Sequence, residues 1–258
     1  MNIIKFKKKN KDQYELILDN DEKIVVYEDI IIKYNLLANK RIDLDLLNKI
    51  NKENSFSSIY SKCIRYISIR IRSEKEIYDY LQKKLVDRQT IEKIIEKLKK
   101  NKLINDELFV QSFINDKLLL TNYGPKKIRN ELDKHNIDYM IIDKYLDKVD
   151  REIFYKKINK IITRQLNNNN KYSKTMIKNK IQTTLNDLGY PKIFYIDILN
   201  SFDIEEDDNI LRKEAEKQYN KLSNKYEDKE LKTKLKQKLY QKGFSAQKID
   251  NILSKIID

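Results

Sequence analysis

The sequence predicts a mainly α-helical protein: tandem three-helix repeats forming an elongated, curved rod, with a small β-hairpin subdomain at the N-terminus. Three observations carry this reading. An apolar frame recurs about every fifty residues. The 258 residues contain only three glycines and two prolines. The first fifty residues follow a period of two or run apolar, where the rest follow a helical period.

The N-terminal segment, residues 1–54, is expected to form two or three strands. Ile3, Phe6, Tyr14, Leu16, Leu18, Ile24 and Val26 stand in short alternating or apolar runs. Lys8–Asp12 and Asp19–Asp21 supply the turns. Asp29–Tyr34 and Asp43–Ile50 read as short helices leading into the repeats. An isolated hairpin is marginal in water, so this segment should pack on the first repeat.

The repeats are anchored at Leu81, Leu132, Leu185 and Leu239. Four residues before each anchor stand Ile77, Ile128, Ile181 and Leu235. Five after it come Val86, Ile137, Tyr190 and Phe244; ten after it, Ile91, Ile142, Tyr195 and Ile249; fourteen after it, Ile95, Leu146, Leu199 and Leu253. Agreement at every position in a chain that is 40% hydrophobic defines a repeat. Between the two apolar helices, Leu85, Asn136, Gly189 and Gly243 mark a tight turn, where Gly and Asn accept the left-handed conformation. Asp87, Asp138 and Ser245 then cap the next helix, and Pro191 suits its first turn. An upstream helix completes each unit, at about 57–69, 106–119, 151–166 and 207–222. The repeats are therefore drawn as 55–104, 105–149, 150–204 and 205–258. Units this small are expected to stack and share apolar faces. Asn167–Asn170 reads as a flexible loop, and Ile204–Asp208 as an acidic helix start.

Charge and composition bound the function. The net charge is +14, and the excess is uneven. Residues 55–104 carry thirteen bases against six acids, residues 150–204 ten against five, and residues 105–149 seven against eight. Such an excess favours a polyanion or an acidic partner; the alternative is solvated charge that follows from an Asn- and Lys-rich composition. No run approaches the apolar length of a membrane span. The N-terminal residues do not read as a signal peptide, and a monomeric, cytoplasmic protein is expected. Cys63 is the single cysteine, so no internal disulfide or Cys-rich zinc site is available. His135, the one histidine, has no partner residue that would make a metal or catalytic site. No phosphate-cradling glycine motif occurs. Neither an enzyme nor a cofactor is expected.

Five cations stand out. Arg70 and Arg72 flank Ser73, which with Glu76 spells a capping box. They either bind an anion or pair with Glu74 and Glu76. Lys126, Lys127 and Arg129 crowd the start of a helix, where the dipole disfavours positive charge, so an anionic partner is expected there. Lys242 sits at a helix C-terminus, where the dipole alone explains it. Of the seventeen tyrosines, Tyr190 and Tyr195 fall on frame positions and read as packing rather than as base-stacking platforms.

At these residues the chain resembles the RecX family. Arg70, Arg72, Ser73, Glu76 and Ile77 fill the family's Arg-x-Arg-Ser-x-x-Glu-Leu pattern. Asp106, Phe109, Phe113, Gly124, Pro125, Ile128, Glu131 and Leu132 are similar to its second motif, and Lys242, Gly243 and Phe244 to its Lys-Gly-Phe signature. The likeness covers residues 57–258. The chain departs from the pattern at Val110, where a small Ala is usual, and at Asn115, Asp116 and Lys117, near a usual Arg. The resemblance implies a regulator that binds the RecA recombinase filament on single-stranded DNA and modulates, by inhibition, strand exchange and co-protease activity. Arg70, Arg72, Lys126, Lys127 and Arg129 are then the expected contacts to filament or DNA, duplex DNA included. Two alternatives are a helical repeat that binds DNA or RNA directly, without a recombinase, and a scaffold for protein peptides.

Overall fold

The computed structural model of the chain describes residues 1–169, 171–204 and 207–257. Three strands come first: β1 (Ile3–Lys8), β2 (Gln13–Leu18) and β3 (Lys23–Tyr27). They are followed by α1 (Glu28–Lys33) and α2 (Leu44–Ile69). The first repeat continues with α3 (Glu74–Gln82) and α4 (Arg88–Lys100). The second comprises α5 (Asp106–Leu120), α6 (Pro125–Asp133) and α7 (Tyr139–Leu146), and the third α8 (Arg151–Asn168), α9 (Lys174–Asp187) and α10 (Lys192–Ser201). The last comprises α11 (Asp207–Leu222), α12 (Asp228–Tyr240) and α13 (Ala246–Ile257). The chain divides into two compact units, Met1–Ser112 and Phe113–Asp258.

The strands form an antiparallel meander in the order β1-β2-β3, with Phe6 opposite Leu16 and Leu16 opposite Ile24. Alternation buries Leu16, Leu18 and Val26 on one face, against Ile30, Ile31 and Leu36. The short helix expected at Asp43–Ile50 is not separate. It is the beginning of α2, which Asp43 caps by accepting from Leu46 N–H. Ile50 on this helix is fully buried against the sheet. Asn54 completes the junction: its amide donates to Val25 O at 2.7 Å and its Oδ1 accepts from Tyr27 N–H at 3.2 Å.

The repeat frame is the core. Of the twenty frame positions, nineteen are buried, and Val86 is half-buried. The turn reading holds in all four copies: Leu85, Asn136, Gly189 and Gly243 have φ of 58°, 54°, 82° and 87°. Asp87 and Asp138 cap their helices through Thr90 and Met140 N–H. Pro191 takes the cap position itself rather than the first turn.

The starts of the middle helices depart from the simple frame. Ser73 and Gly124 stand eight residues before their anchors and cap α3 and α6. In the third and fourth repeats the caps are Ser173 and Glu227, one helical turn further upstream. Ile177 and Leu231, eight residues before their anchors, are buried inside α9 and α12. The Asn run is largely helix: Asn167 and Asn168 end α8, and Asn169 caps it, its amide donating to Gln165 O at 2.7 Å. Asn170 lies outside the described residues. So do Glu205 and Glu206 of the expected acidic start; Asp208 in the first turn of α11 pairs with Lys248 at 2.7 Å.

Candidate partner-binding surface

In the second unit, consecutive middle helices meet end to end. Gly124 N–H, at the cap of α6, donates to Leu188 O at 2.7 Å, and Lys126 N–H donates to Gly189 O at 3.1 Å. These N–H groups have no partner inside their own helix. The carbonyls that end α9 supply one. A Cβ on Gly124 would stand 2.7 Å from the Gly189 backbone, and one on Gly189 would stand 2.4 Å from Lys127 N. Both glycines are needed for this approach. The next joint repeats the bond, with Ser173 N–H donating to Lys242 O at 3.0 Å.

This joint changes the reading of the second basic cluster. The positive end of α6 faces the negative end of α9, so no external anion is needed to explain cations there. Lys127 Nζ donates to Asp187 O at 3.0 Å and lies 4.7 Å from the Tyr123 ring centre. Arg129 forms an ion pair with Asp143. Lys126 is exposed, and its side chain has no polar partner among the described residues. Lys126 and Arg129 are brought together in the lining of a groove of about 580 Å³. Arg151, Phe154 and Phe194 line the same groove. Arg151 is the first residue of α8, and its guanidinium lies 5.6 Å from the Phe194 ring centre. Three cations, an aromatic face and one carboxylate, Asp147, therefore share a groove between the second and third repeats. Lys127 is turned away from it, toward the joint.

Arg70 and Arg72 belong to the first unit, and their charge is used internally. Arg70 grips both oxygens of Glu76, at 2.5 and 3.2 Å. The capping box forms, Ser73 Oγ accepting from Glu76 N–H and the Glu76 carboxylate accepting from Ser73 N–H. Arg72 is more enclosed. Its side chain is 10% exposed, its guanidinium lies 3.8 Å from the Tyr66 ring centre, and Tyr66 stacks on Tyr80 at 4.3 Å. Among the two choices left by the sequence, pairing with Glu76 is what the fold displays.

The other residues singled out in the sequence, Cys63, His135, Tyr190, Tyr195 and Lys242, make contacts within the fold. Cys63 is fully buried, and burial pushes its thiol up to about 11. His135 sets its ring edge-on to Phe113 at 5.6 Å. Tyr190 and Tyr195 are core residues whose hydroxyls donate to Asn122 O and Asn186 Oδ1. Lys242 does more than answer a dipole: it pairs with Glu214, which is 5% exposed. Burial raises the Glu214 carboxyl, and the hydrogen bonds from Lys242 and Gln218 outweigh that and lower it. Among the described residues no cluster of His, Cys, Asp or Glu could hold a metal. No described helix is long and apolar enough to cross a membrane.

Comparison with known proteins decides the family. Residues 60–98 match the family model described as RecX, first three-helix domain, residues 105–146 the second, and residues 205–253 the third. A regulatory protein RecX of Streptococcus uberis is 34% identical over 265 residues, covering all of both chains. This chain belongs to the RecX family. A RecX of Streptococcus agalactiae is 31% identical over the whole of both chains, and one of Oceanobacillus iheyensis 29% identical over 96% of this chain and 94% of its own. Among solved structures, the crystal structure of a regulatory protein RecX superposes with a TM-score of 0.69 at 22% identity, over 78% of this chain and 99% of that one. The RecX of Lactobacillus salivarius gives 0.53 at 26% identity, over 57% and 97%. The third RecX model falls on the fourth repeat of this chain. Helices α8, α9 and α10 stand between the second and third matched segments.

Sequence reasoning missed Arg151 and Phe194. One signal was available for Arg151, a base at the first position of a helix, where the dipole gives it no support. It also missed Lys157, whose Nζ donates to Leu118 O and Thr121 O at 2.6 and 2.7 Å and so closes the end of α5.

Proposed function

We propose that this RecX protein is a cytoplasmic, non-catalytic regulator that binds the RecA recombinase filament on single-stranded DNA and restrains strand exchange and co-protease activity. Its segments 55–104, 105–149, 150–204 and 205–258 act as successive modules. The observation that carries the reading is the groove holding Lys126, Arg129 and Arg151 in a chain of this family. Clustered positive charge on a repeat surface suits phosphates or an acidic protein face. Arg70 and Arg72 contribute by shaping the start of α3, and Lys126 offers its charge outward.

The test is strand exchange by the cognate recombinase with and without this chain. Inhibition that is lost in Lys126→Glu/Arg151→Glu, with helicity retained, supports the reading. Unaltered exchange at saturating protein overturns it. A second reading, direct binding of single-stranded nucleic acid, draws on Phe194 beside Arg151, since bases stack on such faces. A steep salt dependence on bare DNA, equal to that on filaments, would favour it.

A further inference from the structure

The two joints of the second unit share a polarity: the start of one middle helix receives the turn that ends the next. Two such elements are left over by chain order. The turn after α3 has no earlier middle helix, and the start of α12 has no later turn.

The turn after α3 is prepared like the others. Leu85 adopts φ 58°, the conformation of Gly189 and Gly243, yet it is 94% exposed. Leu188 O, Gly189 O and Lys242 O accept bonds at the joints. Their counterparts, Lys84 O and Leu85 O, accept none among the described residues. Val86 beside them is the frame position left half-buried. A groove of about 690 Å³ opens here, lined by Phe56, Ile59 and Val86; Lys52, Lys62, Lys84 and Lys93 surround it with one acid, Asp87, which caps α4 through Thr90 N–H. None of the four lysines pairs with a carboxylate among the described residues. Free carbonyls, an apolar floor and a basic rim fit one kind of occupant: a helix start, which offers free N–H groups, with acidic residues in its first turn.

The chain carries such a helix start. Glu227, Asp228 and Glu230 are exposed at the beginning of α12, and none forms an ion pair among the described residues. We propose that the acidic start of α12 in one copy docks into the lysine-rimmed groove of a second copy, so that the first repeat of one chain follows the last repeat of another. The contact joins two different surfaces, so it adds copies head to tail. The monomer expected from the sequence then describes the dilute chain. Exposed charges hold the joint, and salt dissolves it.

Sedimentation velocity on the full chain tests this. At low salt the sedimentation coefficient should rise with concentration, and in about 1 M salt it should return to the monomer value. One variant, Lys62→Glu/Lys84→Glu/Lys93→Glu, reverses the groove. The other, Glu227→Lys/Asp228→Asn/Glu230→Lys, reverses the helix start and keeps at 228 a residue that tolerates its φ of 42°. Each alone should stay monomeric with native circular dichroism, and an equimolar mixture should associate again. A wild-type chain that stays monomeric at every concentration overturns the proposal, as do variants that associate like wild type. So does loss of filament binding by the groove variant of a monomeric chain, because the occupant is then an acidic segment of the partner.

Discussion

Arg72 and Lys126 stand on either side of a middle-helix cap, one just before Ser73 and the other just after Gly124, and the fold uses them in opposite ways. Arg72 is enclosed between Tyr66 and Glu76. Lys126 lends only its backbone N–H to the neighbouring repeat and leaves its ammonium outside. A base in a family motif can thus be a packing residue, whereas one beside a motif can be the available charge. The difference follows from the cap. Ser73 brings its own box with Glu76, whose carboxylate pairs with both arginines. Gly124 has no side chain to cap with, and its helix start is completed by another repeat.

The largest expected effect comes from disrupting the joint itself. Gly189→Ala would force a Cβ against Lys127 in a left-handed conformation. A loss of about 3 kcal/mol in unfolding free energy is expected, with the Lys126–Arg151 groove disturbed along with stability. Arg72→Ala should cost less, about 2 kcal/mol, because a desolvated cation–π contact goes and Glu76 loses a neighbour. Arg72→Lys should recover only part of it. Urea titrations of both variants measure these losses.

Lys242 extends the comparison to a third base. The Glu214 carboxyl is lowered in the folded state below its ordinary value of 4.5. Its contribution is therefore complete above that value and is lost as pH falls through the lower, folded one. Stability measured against pH should decline over that acidic window, and Glu214→Gln should flatten the decline. The smallest structural effect belongs to Lys126→Glu. Its unfolding free energy should stay within about 0.5 kcal/mol of wild type, while affinity for the filament falls several-fold. A stability change as large as that of Arg72→Ala would erase the distinction drawn between the two residues.

The repeat frame was legible because a period of fifty-odd residues fixes which leucines face inward, whatever lies between them. Helix starts were less so: Ser173 and Glu227 lie a turn before the frame, and a longer helix keeps the same apolar spacing. The continuity of α2 was missed because the expected helices stop at Ile50 and resume near residue 57. Asn54, between them, spends its amide on Val25 and Tyr27, a use visible only once the sheet is beside it. The five cations were found as charges, but the local partners of Arg70, Arg72, Lys127 and Arg129 were not all legible. Whether Arg70 grips Glu76 is a question of side-chain reach. The groove of Lys126 and Arg151 combines helices more than twenty residues apart, and no local pattern reports that.

The unbroken α2 has a mechanical consequence. Its first turns carry the sheet through Ile50, and its last turns carry Cys63 and Tyr66 into the core of the first repeat. A helix of 26 residues is about 39 Å long, so a tilt of about ten degrees at one end displaces the other by about 7 Å. The sheet and the first repeat are thus the two ends of one lever. A tilt of the sheet on α2 would therefore be felt at the turn bearing Leu85.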